Sequence, residues 1–260
     1  MTEVDNALLE RFEQEVWSKV PHLEEKDGET KVVNATPLVD ITEDFKECAK
    51  NVFKLNLDDA DLKVFGKFDS TLLTGSIKVR PAANIIHDAI VTGKLRSGQT
   101  VIEATSGNFG IALGLLSKLG LNVIALVSRK LQEGVFEELR NGNIRTMDLD
   151  MDICPAPGME GKQNLMVAKA TAANVRSQLS NFGFDTDIFD KEISEIESLL
   201  AKQDIINLAQ FLAKSYGFFC PAQYDNQLNI EAHRTVTAAE IDQQLHENGD
   251  SLENFSIFCT

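Results

Sequence analysis

Basic residues are scarce: 25 Lys and Arg stand against 40 Asp and Glu, for a formal net charge of −15. Phosphodiester backbones are held by clustered cations, so nucleic acid is not an expected partner. Cysteine is sparse as well. Cys48, Cys154, Cys220 and Cys259 are scattered and form no CxxC pair, which leaves no zinc or dithiol motif, and no metal is expected. They read as small buried hydrophobes. No apolar run is long enough to span a bilayer. The opening stretch MTEVDNALLERFEQEV is acidic and amphipathic, unlike a secretory signal. The expectation is a cytoplasmic protein without membrane contact. There is no internal repeat, no low-complexity stretch, and no G-x-G-x-x-G after a strand, which argues against a plain dinucleotide-binding fold.

What is present is an ordinary globular composition, 43% hydrophobic and 25% charged, in a chain long enough for one large or two smaller cores. Leu8, Leu9, Phe12, Val16 and Trp17 lie near helical spacing and predict a helix over 4–20. Residues 21–31 read as a polar connection. TPLVDI (36–41) reads as a strand, 42–53 as helical or irregular, and 61–68 as an alternating strand. A helix over 76–92 ends at Gly93. Then strands at 100–105, 121–127 and 144–150 alternate with helices at 109–120 and 132–140. That rhythm predicts βαβ units, a parallel sheet and helices on both faces, an α/β fold. A long helix over 162–180, an acidic helical stretch over 185–215, strand plus turn at 218–226, a helix over 229–246 and a strand at 254–260 complete the reading.

Three segments carry chemistry. In Thr74-Gly75-Ser76-Ile77-Lys78-Val79-Arg80 one lysine stands at the first turn of a helix just after a glycine. The positive end of the helix dipole disfavours its ammonium form, and a free amine is what an aldehyde cofactor requires. Alone, this is also how a solvated lysine looks. In Glu103-Ala104-Thr105-Ser106-Gly107-Asn108-Phe109-Gly110 a buried strand turns into a helix, the ligand-binding end of an α/β sheet. Free N–H groups there suit a carboxylate, although Ser and Asn are equally good plain caps. The third segment, Pro221-Ala222-Gln223-Tyr224-Asp225-Asn226, leads to Asn229, His233 and Thr237. It presents amides to a ligand or is only a capped turn.

Taken in order, these pieces resemble the fold-type II pyridoxal-phosphate enzymes (the tryptophan synthase β-like fold), and within them the cysteine synthase-like family that uses O-acetylserine or O-phosphoserine. The family's GSxKxR motif corresponds to Gly75 through Arg80, its TSGN loop to Thr105 through Asn108, its GMxGA-like helix start to Gly158-Met159-Glu160-Gly161, and its QxxN turn to Gln223 through Asn226. TPLVDI fits the family's early strand. The resemblance covers 36–172 and 216–260. It implies that Lys78 forms the Schiff base with pyridoxal 5′-phosphate and serves as acid and base at Cα. Asn108 faces the cofactor's 3′-oxygen. Thr105, Ser106, Gly107, Phe109 and Gln223 form the substrate-carboxylate site. The implied reaction is β-replacement on an activated serine by sulfide or an amine, in a homodimer acting on a small amino acid. Dehydratase-like β-elimination, and a non-catalytic relative that binds a partner protein, are the alternatives.

Four departures from the family pattern accompany this. Val79 replaces an Asp between the lysine and the arginine, which alters local ion pairing. Phe109 replaces a Thr beside the carboxylate site. The acidic segment near 176–215 reads as an insertion, in its simplest form a solvated surface hairpin. The family's glycine-rich phosphate loop follows the strand that here reads NFSIFCT, so the sequence is expected to be truncated before it. The expected domains are 1–41 with 69–222, carrying the lysine and the asparagine loop, and 42–68 with 223–260.

Overall fold

The structure is a computed structural model that describes residues 3–105, 107–127, 133–149 and 171–259. Cys154 and the 158–161 helix start lie outside the described residues, as do the first part of the expected 162–180 helix and Ser106.

Helix α1 (Asn6–Glu15) is shorter than its apolar stripe predicts. Asp5 caps it by accepting from Leu8 N–H at 3.0 Å, and a 3₁₀ turn over Trp17–Lys19 follows. Residues 21–31 are not a connection but an antiparallel hairpin, β1 (His22–Lys26) with β2 (Glu29–Val33). Its turn is Asp27-Gly28, with φ of 56° and 80°, which matches the right-handed twist of the paired strands. Both strands are polar because they are mostly exposed, and this hides them from a hydrophobic-pattern reading. Strand β3 (Leu38–Asp40), helix α2 (Thr42–Phe53) and strand β4 (Phe65–Lys67) follow, β3 and β4 pairing antiparallel.

The parallel sheet is the centre of the molecule. Helix α3 (Val79–Val91) precedes β5 (Thr100–Ala104), α4 (Asn108–Ser117), β6 (Asn122–Val127), α5 (Glu133–Asn141) and β7 (Arg145–Asp148). The strands pair in the order β5-β6-β7, all parallel. Side chains alternate along a strand, and here both faces are apolar. Val101, Val123, Ala125 and Val127 pack with α1, α3, α4 and α5, whereas Ile102, Ala104, Ile124, Leu126 and Met147 face the other way.

The second face is covered by α6 (Ala172–Asn181), α7 (Thr186–Lys191), α8 (Ile193–Lys202) and α9 (Ile205–Tyr216). Phe189, Ile196, Leu208, Ala209 and Leu212 are buried in that core. The acidic segment is therefore not a solvated hairpin: its charges line the outer surface of a helical layer whose inner surface is the sheet's own core. Phe219 extends the sheet on the free side of β5. Its N–H donates to Thr100 O and its carbonyl accepts from Ile102 N–H, both at 2.9 Å. One bridge, rather than the expected strand, forms there.

Beyond it, α10 (Gln227–Glu231), a π-helical turn over Ala232–Thr237 and α11 (Ala238–Glu247) replace the single expected helix. The expected strand at 254–260 does not form among the described residues. After a 3₁₀ turn over Leu252–Asn254, Ile257 and Phe258 are 83% and 75% exposed. Apolar composition favours a strand only where a neighbour offers a hydrogen-bonding edge. Cys48 and Cys259 are exposed rather than buried, and only Cys220 among the described cysteines is partly enclosed.

Candidate active site

The β5–α4 turn is built on Thr105, 1% exposed. Its Oγ1 accepts from Gly107 N–H at 3.2 Å and from Gly110 N–H at 3.1 Å, satisfying donors that a helix start leaves unpaired. Gly107 has φ 140° and ψ −87°, a backbone geometry that essentially only glycine takes up. Asn108, the first residue of α4, is exposed, and Phe109 turns inward. Its ring is 2% exposed in the same core as Val79 and Ala112, so Phe109 supports the turn from behind.

The Gln223 turn lies against the end of β5. Gln223 Nε2 donates to Ala104 O at 3.0 Å, its N–H donates to Glu103 Oε2 at 3.2 Å, and its carbonyl accepts from Asn229 Nδ2 at 2.7 Å. Asn226 caps α10 through Leu228 N–H and also donates to Pro221 O. Ala222 has φ 51°, uncommon for a residue with a Cβ. Glu103 is 1% exposed, and burial pushes its carboxyl up to about 8, against weaker opposing hydrogen bonds from the Gln223, Ala104 and Ala222 backbone. It therefore carries a proton at neutral pH. Burial, then the neighbouring Glu103, raises the Cys220 thiol.

Lys78 is half-buried at the N-terminal boundary of α3, after Gly75 with φ 66°. Its N–H donates to Ser76 Oγ at 3.3 Å. Val79, Ala82 and Ala83 on the first turns of α3 line one apolar cleft with Ala112 and Leu113 of α4. Asn84 Nδ2 donates to Leu228 O of α10 at 2.9 Å. The helix that begins after Lys78 thus packs on the helix that begins at Asn108 and on the helix that follows Gln223.

Val79 is fully buried. The local ion pairing is carried by its neighbour Arg80. Arg80 makes two bonds to Asp69, at 3.0 and 2.7 Å, and one to Glu240 at 2.5 Å. Lys67 joins Glu240 at 2.6 Å and also donates to Thr36 O and Gln244 Oε1. Thr36 N–H donates to Glu240 at 2.6 Å. His233, on the π-helical turn, bonds Thr237 Oγ1 at 3.1 Å, and its imidazole is held below its ordinary pKa by burial, then by Arg80 and Lys78. Sequence reading missed the partners Asp69, Glu240 and Lys67, which are scattered polar residues with no spacing pattern. It also assigned nothing to Glu103, whose signal was available: a lone carboxyl inside a strand read as buried.

The family model of the pyridoxal-phosphate dependent enzymes matches residues 33–253. The chain belongs to this family. A cysteine synthase of Staphylococcus aureus is 24% identical over 229 residues, 88% of this chain and 54% of that protein. An N-(2-amino-2-carboxyethyl)-L-glutamate synthase of Cupriavidus metallidurans is 29% identical over 195 residues, 74% of this chain and 45% of that protein. The chain thus spans about half the length of these curated relatives. An O-acetylserine-dependent cystathionine β-synthase from Helicobacter pylori shares the fold, with TM-score 0.51 and 21% identity over 82% of this chain and 52% of that one. The expected fold class is confirmed: an α/β fold of the fold-type II pyridoxal-phosphate kind.

Pyridoxal phosphate is the cofactor of this family, and the residues present fit its aldehyde and ring. An amine stands at Lys78 and an exposed amide at Asn108. Thr74 Oγ1, in the loop before Lys78, is buried and has no hydrogen-bond partner among the described residues, and a buried hydroxyl of this kind is ordinarily satisfied by a ligand or water. No group of three or more His, Cys, Asp and Glu among the described residues could hold a metal. No helix among them is long and apolar enough to cross a membrane.

Proposed function

We propose that this chain carries the Schiff-base lysine and the carboxylate site of an enzyme that performs β-replacement on an activated serine, O-acetyl or O-phospho, with sulfide or an amine as nucleophile. The observation that supports the reading is how the helix after Lys78 and the turn of Gln223 pack against the elements around Asn108. Lys78 precedes a helix that packs on both α4 and α10, and Gln223 is bonded to the strand end from which the Thr105–Asn108 turn departs. The activities of the two relatives, a cysteine synthase and an N-(2-amino-2-carboxyethyl)-L-glutamate synthase, support serine-derived chemistry.

When bound, pyridoxal phosphate supplies an electron sink for the amino acid's Cα. Lys78 holds the aldehyde carbon and moves the proton at Cα. The substrate carboxylate is assigned to the α4 N-terminus: Thr105 shapes that turn by accepting from Gly107 and Gly110 N–H, the family motif assigns Ser106 and Gly107 to the same site, and Gln223 adds its amide. Asn108, by the family motif, would be the residue that faces the cofactor's 3′-oxygen. Phe109 keeps water from the back of the turn. A homodimer, with the lysine-bearing domain of 1–41 and 69–222 set against 42–68 and 223–260, belongs to the same proposal.

The test is chemical. Protein loaded with pyridoxal phosphate is reduced with borohydride and mapped by mass spectrometry. The label falls on Lys78, and Lys78→Ala has neither label nor visible cofactor absorbance. A label on another lysine sinks the assignment. Cysteine formation from O-acetylserine and sulfide, scored against ammonia release without sulfide, separates replacement from elimination.

A further inference from the structure

We infer that Glu103 is a positioning residue for substrate-carboxylate binding: it holds the Ala222–Gln223 turn against the end of β5 and so fixes Gln223 beside the Thr105–Asn108 turn. The inference rests on the reading of Gln223 as a carboxylate-binding residue.

Three observations point the same way. Glu103 is sealed within β5, on the same face as Val101, which packs into the apolar core. Among the described residues the groups that act on it most are the backbone of Gln223, Ala104 and Ala222, with no cation beside them. An apolar side chain would serve the sheet equally well, so the carboxyl is explained by the turn that it holds. Ala222 occupies a left-handed conformation with φ 51°, which persists only where the surroundings over-determine it. Gln223 N–H has one partner at hand, Glu103 Oε2 at 3.2 Å, in a buried setting where an unpaired donor is costly. With Nε2 on Ala104 O and the carbonyl on Asn229, the residue is held at three points. Glu103 touches neither the proposed substrate nor the cofactor, and acts through Gln223.

The experiment uses the whole protein loaded with pyridoxal phosphate, as wild type, Glu103→Met and Glu103→Gln. Met fills the volume but leaves Gln223 N–H unpaired; Gln keeps an acceptor oxygen and no charge. Hydrogen exchange of the peptide containing Gln223 is expected to rise about tenfold or more in Glu103→Met, with β6 peptides unchanged, and to stay at the wild-type rate in Glu103→Gln. L-Serine and ethanolamine, which differ by the carboxylate, are then titrated against the cofactor's visible spectrum. Glu103→Met is expected to bind L-serine about tenfold more weakly and ethanolamine unchanged, and Glu103→Gln to restore serine affinity. Equal weakening of both amines, or unchanged exchange at Gln223, overturns the inference. If Glu103→Met does not fold, Glu103→Gln still decides, since loss of serine affinity in that variant contradicts a role limited to accepting the Gln223 N–H. Wild-type protein that binds neither amine defeats the proposed function instead, and the exchange rates then tell whether Glu103 holds the turn at all.

Discussion

Arg80 Nη1 lies 2.5 Å from Glu240 Oε2, two side chains 160 residues apart that are 2% and 0% exposed. Arg80 lies in the first turn of the helix that follows Lys78, and Glu240 belongs to α11. Their contact fastens the lysine-bearing turn to the last long helix of the chain. Asp69 and Lys67, each partly exposed, complete a group of two cations and two anions, so formal charge balances around the buried Arg80–Glu240 pair. A balanced group of this kind adds little net stability, yet removing one member leaves a buried charge uncompensated. Glu240→Gln is therefore expected to lower unfolding stability by about 3–5 kcal/mol. The paired change Arg80→Met with Glu240→Gln should cost less than the sum of the single changes, because the two act as one unit. Urea unfolding of the four proteins checks this, and strict additivity would contradict the coupling.

Two glycines allow the packing account to be tested in opposite directions. A Cβ on Gly110 would stand 2.7 Å from Thr105 Cγ2 and 3.2 Å from Leu139 Cδ2. Thr105 cannot rotate away without releasing the N–H groups of Gly107 and Gly110 that its Oγ1 accepts. Gly110→Ala is expected to destabilise by about 1–3 kcal/mol, the usual range for overpacking, and to weaken cofactor retention by disturbing the turn. Gly134 lies within α5, and nothing among the described residues comes within 4 Å of the point where a methyl group would sit on it. Gly134→Ala is expected to stabilise by about 0.5–1 kcal/mol through helix propensity alone. Thermal unfolding of the pair should show shifts of opposite sign.

The central part of the fold was legible because its signals are local and periodic. The strands at Thr100, Asn122 and Arg145 are short apolar runs between helices that end in glycine, and the structure places them as read. The hairpin at His22–Val33 was misread because its strands are polar, although Asp27-Gly28 is a strong turn signal. The segment 254–259 was misread for the opposite reason: it has strand composition, but pairing depends on a partner that composition does not supply. At the site, the turns bearing Lys78, Asn108 and Gln223 were recognisable as motifs. That α3 packs on both α4 and α10 was not, since such contacts join residues far apart in the chain, as in Asn84 with Leu228. The Arg80–Glu240 pair was invisible for the same reason.

Glu103 makes a last prediction, about pH. Its folded-state pKa is about 8, raised by burial from an ordinary 4.5. Between those values the native protein keeps a proton that the unfolded chain gives up, so stability falls as pH rises. Below pH 4.5 both states hold the proton and the carboxyl imposes no charging penalty; above 8 both have lost it and the loss is complete. The whole window corresponds to roughly 3–5 kcal/mol. Glu103→Gln keeps the shape and cannot ionise. Its advantage over wild type is therefore expected to be small at pH 4.5, to grow steadily up to pH 8, and to level off beyond. Every other titrating group is common to the two proteins, so the difference between their urea-unfolding free energies isolates this carboxyl. Curves that run parallel across the window would mean that Glu103 is ionised in the folded protein, and the uncharged acid placed beneath the Gln223 turn would have to be abandoned.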